Sequence, residues 1–358
     1  MKKIQRVILP AVLGCMLYST QSFAGNDQRA GQAGAQELLI NPFARSSGWA
    51  GSDIAGCKGL ESMYMNVAGT AFTQRTELLF SYTNWLVGSG ISINSFGFSQ
   101  HVGETGAISL GIMSMNFGNI PITTENNPDG GLGTYSPSYL NIGLSYAKGF
   151  SENIYGGMTL RVISENLPNL AAQGVALDAG IQYVTGKRDN IHFGISLKNV
   201  GPRMQFRGDG LSFRGTVPST GVNLTVEQRS ADFEMPSQMN IGGRYDFLIL
   251  KDTSSKVNQR VSLAGNFVSN SFSKDQFLLG IEYSFHNYLM LRVGYAYENG
   301  IFGGIEDTRT TAFTGPTAGV TFQAPFGPNK RSTFALDYSY RATDPFSGCH
   351  SIGVRMNL

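Results

Sequence analysis

From residue 76 to its end the chain is a succession of segments, each roughly ten residues long, in which apolar and polar side chains alternate between turn residues. Strict alternation commits a segment to an extended strand with one greasy and one polar face, because successive side chains point to opposite sides. In "NIHFGISLKNVG", Ile191, Phe193, Ile195 and Leu197 share one face and His192, Gly194, Ser196 and Lys198 the other. "YLMLRVGYAYEN" opposes Leu289, Leu291, Val293, Tyr295 and Tyr297 to Met290, Arg292, Gly294 and Glu298. "STFALDYSYR" and the closing "HSIGVRMNL" repeat the pattern. A terminal strand with one apolar face and a free edge would aggregate in water, so the last one must be both paired and covered.

Strands are expected near 76–86, 90–101, 106–117, 138–149, 153–165, 174–185, 190–201, 235–249, 258–269, 275–286, 288–298, 312–323, 331–342 and 349–358, which makes fourteen. An even count closes a barrel with both termini on the periplasmic side, short turns there and long loops outside. The longest connections, 118–137, 202–234 and 299–311, fall outside by this parity, and "VGETG", "FSEN", "TGKRDN" and "HN" fall inside. Two inner links, near 250–257 and 324–330, are longer than the rule expects. A soluble β-sandwich also alternates, but its strands run about five or six residues. Aromatics near segment ends (Trp85, Tyr146, Tyr183, Tyr245, Phe285, Phe322) suit the girdles of a membrane barrel. The expected fold is therefore all-β, a 14-stranded antiparallel transmembrane β-barrel in an outer membrane, its last strand paired with its first.

Nearly every strand charge sits opposite the apolar face, so that face lines the lumen; on the lipid side each would cost a few kcal/mol at mid-bilayer. With inner turns centred on Arg188 and Asn287, Asp178 falls opposite Lys198 and Glu282 opposite Arg292. Mixed signs read as a structural ladder more than as an ion path.

Ahead of the strands, 1–24 has the basic start, apolar run and small-residue exit of a secretory signal peptide, with cleavage after Ala24. A lipoprotein signal at Cys15 is the rival reading. Residues 25–75 do not alternate and are rich in small residues; they read as a plug inside the barrel 76–358, or else as a periplasmic extension. Cys57 and Cys349 are left in an oxidising compartment, where a disulfide between them is open. The four His stand on separate segments without a Ser or carboxylate constellation, and no spacing suggests zinc, so no catalytic residue, metal or cofactor is expected. A net charge of +2 with no Lys/Arg block excludes nucleic acid as a partner.

The stretch "ELLINPFARSSGWAGSDIAG…YMNVAG" resembles the opening of the PorV/PorQ family of outer-membrane barrels, relatives of the FadL-type transporters. Leu39, Asn41, Pro42, Ala44, Arg45, Gly48, Asn66, Ala68 and Gly69 carry the likeness; Val67 and Ala50 depart from the family pattern. "LKNVGPRMQFRGDG" and "EMPSQMNIGGRYDF" resemble further family segments. The resemblance implies a component of the type IX secretion system of Bacteroidetes, whose partners are a translocon subunit and cargo C-terminal domains. Outer loops would supply the contacts: Arg203, Met204, Phe206, Arg207, Phe213 and Arg214 in one, Ile301, Phe302 and Ile305 in another, all of the residue types found at interface centres. The alternative, from another class, is a FadL-like channel for hydrophobic small molecules, which needs an apolar pocket in the lumen and a lateral gap in the wall; the many inner charges weigh against it.

Overall fold

Fourteen of the alternating segments form one antiparallel sheet whose two ends meet. The structure is a computed structural model describing residues 25–216, 219, 221–251, 257–302, 310–327 and 332–358; the expected signal peptide, 1–24, and Ile305 lie outside these. In chain order the strands are β1 (Thr76–Trp85), β2 (Ile91–Val102), β3 (Gly106–Asn116), β4 (Ser138–Gly149), β5 (Ile154–Leu167), β6 (Leu170–Thr185) and β7 (Ile191–Val200). Then follow β8 (Gln238–Lys251), β9 (Val257–Asn270), β10 (Gln276–Phe285), β11 (Leu289–Glu298), β12 (Gly315–Phe326), β13 (Ser332–Arg341) and β14 (Cys349–Asn357). Every strand pairs with its sequence neighbours, and β14 pairs with β1 (Met356 opposite Leu78, Ile352 opposite Tyr82), so neither has a free edge. Among the described residues no helix is long and apolar enough to cross a membrane.

Four strands depart from their expected limits by more than one residue, among them β8, which runs Gln238–Lys251 against the expected 235–249. β5 and β6 keep pairing up to Leu167 opposite Leu170, so this hairpin rises beyond the others. β12 starts at Gly315 because Phe313, expected within the strand, turns inward onto Trp85 at 4.7 Å between ring centroids. Trp85 is a second correction: it is only 5% exposed and faces the lumen, whereas Tyr146, Tyr183, Tyr245, Phe285 and Phe322 face outward as a girdle requires.

The two faces are sorted by chemistry. Phe80, Leu144, Ile195, Leu279 and Val293 point outward, where lipid would cover them, and Glu77, Arg161, Asp178, Arg244, Glu282, Arg292, Asp337 and Arg355 are buried within. The alternation is thus that of a water-soluble strand turned inside out.

What buries the lumen charges is the segment before β1. Residues 34–73 lie inside the barrel as one α-turn (Ala44–Ser47) and short 3-10 turns (Gln36–Leu39, Leu60–Tyr64, Val67–Phe72), almost entirely buried. Asn66 organises this coil: its side-chain oxygen accepts the Ala68 N–H, and its amide donates to the carbonyls of Ile54 and Ile181. Small residues let two backbones touch. A Cβ on Gly319 of β12 would sit 2.9 Å from the Gly48 Cα, and one on Gly294 of β11 only 2.4 Å from the Trp49 carbonyl carbon. The segment enters from the long-loop end, where Arg29 lies over the Phe272 ring and Ala33 bridges Glu234, and it descends to Arg75 at the short-turn end.

Candidate functional site: a cavity above the plug

The lumen charges fasten the plug to the wall. Arg244 on β8 donates to Asp53 of the plug (2.9 Å), to the Gly56 carbonyl (3.2 Å) and to Asp246 beside it (2.8 Å). Glu77 on β1 accepts the Leu60 N–H at the start of a plug turn (3.0 Å). Glu282 takes Arg292 (2.6 Å) and Arg260 (2.8 Å), with Arg292 directly opposite it in register. The other rung differs from its expected form. β7 carries an extra residue, Asn199, in the left-handed conformation (φ 60°), and the bulge swings Lys198 out of line with Asp178. Asp178 instead pairs with Arg161 (2.8 Å) and accepts the Asn199 N–H (2.7 Å), while Lys198 donates to the Tyr64 carbonyl of the plug (2.8 Å).

The two cysteines are free and lie apart. Cys57 is buried low in the lumen against Gln182 of β6, where burial pushes its thiol up to about 12; Cys349 accepts the Leu86 N–H at the outer rim. The plug carries Cys57 to the wrong level for a bond.

Above the plug the lumen opens into a cavity of about 730 Å³. Its floor is plug: Ile40, Ala50, Ile54 and Tyr64. One wall is apolar and aromatic, made by Trp85, Leu86, Ile91, Met115, Phe117 and Phe313, with Phe117 against Tyr139 at 4.8 Å. The opposite wall mixes Val268, Leu278 and Ala296 with amides: Asn266 donates to Asn240 (3.2 Å), which leaves the Asn240 amide nitrogen and the Asn266 oxygen without partners. Glu37 closes one side. Burial, reinforced by the neighbouring Glu165 carboxylate, pushes its carboxyl up to about 8, so it is largely neutral at pH 7. Such a chamber suits a mostly apolar molecule with a hydrogen-bonding group.

The expected loop contacts separate into two groups. Met204 is 1% exposed and Ile301 7%, both folded into the structure, and Phe206 packs half-buried on Phe233. Arg203 pairs with Glu234 (2.9 Å). Phe213 (53%) and Phe302 (89%) are exposed, as are Arg207 and Arg214. Phe213 and Arg214 stand on a separate hairpin, Ser212–Thr216 with Asn223–Glu227. The cavity residues were missed by sequence reasoning, although counting by two from Glu77 along β1 puts Trp85 inward.

A closed barrel with lipid-facing alternation and a lumen plug defines a plugged barrel of the outer-membrane type. The sequence matches no protein-family model and no curated protein. Solved structures do match in fold. CymD, a monoaromatic hydrocarbon channel, superposes with a TM-score of 0.52 at 15% identity, over 89% of this chain and 97% of that one. The toluene transporter TodX of Pseudomonas putida gives 0.52 at 12% identity, over 88% and 97%.

Proposed function

We propose that this barrel takes up small hydrophobic molecules from outside the cell through the cavity above its plug. The carrying observation is that cavity: about 730 Å³, apolar on one side and bounded below by a fastened plug. The fold likeness to channels for aromatic hydrocarbons supports the reading. Binding is readable from within, because the chain has two tryptophans and Trp85 lines the cavity while Trp49 is buried in the plug. In a Trp49→Phe background, titration with N-phenylnaphthylamine is expected to quench Trp85, and Ile40→Asp is expected to weaken the effect about tenfold, since it puts a carboxylate in the apolar floor. Quenching that is absent, or unmoved by Ile40→Asp, would refute the proposal.

A second reading rests on the hairpin 212–227, whose Phe213, Leu224 and Val226 are exposed at 53, 50 and 41%. Apolar groups held out in solution fit capture of a type IX translocon subunit or a cargo C-terminal domain. Crosslinking in native membranes tests it: Phe213→Asp should abolish a captured protein while leaving Trp85 quenching intact.

A further inference from the structure

At the periplasmic end a second cavity, of about 320 Å³, opens between the plug and the barrel wall. It has the opposite character to the outer one. Arg45 and Lys58 reach it from the plug, Arg188 from the β6–β7 turn and Arg260 from β9. Among the described residues Arg45 and Arg188 make no hydrogen bond or ion pair, and Lys58 touches only the Phe72 ring, at 4.5 Å. Arg260 uses one nitrogen on Glu282 and leaves its buried Nε unpartnered, while His192 faces Asp246 through Nε2 at 3.5 Å.

Among the described residues, cations outnumber carboxylates on the lining of this cavity. Arg244 between Asp53 and Asp246 leaves one negative charge, and Arg260 with Arg292 around Glu282 leaves one positive; these two offset each other. Behind Arg45, Asp337 is answered by Arg355, and the buried Glu61 and Glu77 carboxyls do not line the cavity. On the lining itself Arg45, Lys58, Arg188, Arg244 and Arg260 stand against two carboxylates, Asp189 and Asp246. Two guanidinium groups and an ammonium from separate elements, all with free N–H groups, make a receptor for oxygen anions.

We infer that this periplasmic cavity binds an oxyanion of the phosphate or phosphomonoester type, bridging Arg45 and Lys58 of the plug to Arg188 and Arg260 of the wall. Four donor side chains converging from plug and wall suit the several oxygens of a phosphate better than the two of a carboxylate. The inference goes beyond hydrophobic uptake and does not depend on it, because it concerns the other end of the barrel. An occupant shared between plug and wall would also hold the two together.

The test is calorimetric titration of inorganic phosphate into the full-length protein, purified in phospholipid-free detergent and compared with chloride at equal ionic strength. Saturable binding with Kd below about 1 mM is expected. Lys58→Gln and Arg188→Gln should each weaken it about tenfold or more, as loss of a charge-assisted hydrogen bond does. Both side chains are exposed, so folding is not at stake; heat-modified gel mobility checks this. Repeating the titration in phosphatidylcholine vesicles with and without phosphatidate separates the sources. Equal binding in both supports a free phosphate, and phosphate binding lost with phosphatidate supports a lipid headgroup. Heat no greater than with chloride, or binding unmoved by both substitutions, would overturn the site.

Discussion

Replacing Arg244 with Met should loosen the plug without opening the barrel. Arg244 is the cation shared by Asp53, 3% exposed on the plug, and Asp246, 7% exposed on the wall. Met fills much the same volume but leaves two buried carboxylates. Asp53 would keep only the Gly56 N–H (3.0 Å), and Asp246 would keep His192 at 3.5 Å. Removing one partner of a buried ion pair costs about 3–5 kcal/mol, which corresponds to about a hundredfold to a few thousandfold in a local opening equilibrium. Hydrogen exchange followed by mass spectrometry reads that equilibrium segment by segment. Amides of residues 44–60 should exchange about a hundredfold faster or more, while those of β1 to β14 keep their protection. Adding Asp53→Asn removes one stranded charge and should recover part of the difference. Unchanged exchange in 44–60 would show that the ion pairs do not fasten the plug. Plug and strands losing protection together would show that plug and barrel are one cooperative unit.

Three further outcomes are expected. Glu37 binds its proton more tightly in the folded arm than in an unfolded one, so the arm is most stable below about pH 4.5 and loses up to about 1.4 kcal/mol per pH unit until the carboxyl ionises near pH 8; protease cleavage within 29–40 should therefore rise between pH 5 and 9, and Glu37→Gln should flatten the profile. Gly294→Leu places side-chain carbon where the Trp49 backbone lies, so it should displace the plug, seen as a red shift of Trp49 emission in a Trp85→Phe background, with strand content by circular dichroism unchanged. Single cysteines at Phe302 and Gly210, in a background without Cys57 and Cys349, should label on intact cells and one at Lys187 should not; the reverse would invert the barrel.

Period-two alternation made the strand number, the lipid-facing side and the seam legible, because a one-residue slip would send every side chain to the wrong environment. Register near the tight turns was equally readable: Glu282 opposite Arg292 follows from a turn centred on Asn287. The rung at Asp178 was not, since nothing in "SLKNVG" announces that Asn199 is an extra residue. The cavity was hidden for a different reason. Its floor belongs to a segment without period, whose path is set by contacts such as Gly48 on Gly319 that join positions far apart in the chain. Inward apolar residues such as Trp85 and Met115 look in sequence like any other hydrophobes near a strand end.

The direction in which the plug runs has a mechanical consequence. Its N-terminal side lies at the outer mouth, with Gly25 beside Asp275, and its tether to β1 lies at the periplasmic mouth, at Arg75. It therefore works as a strap anchored below, not as a door hinged at one rim. Pulled from the periplasm it can pay out downward, arm last; pushed from outside it can only bunch against its anchor. A ratchet of this kind yields to a force from the cell and resists one from the environment.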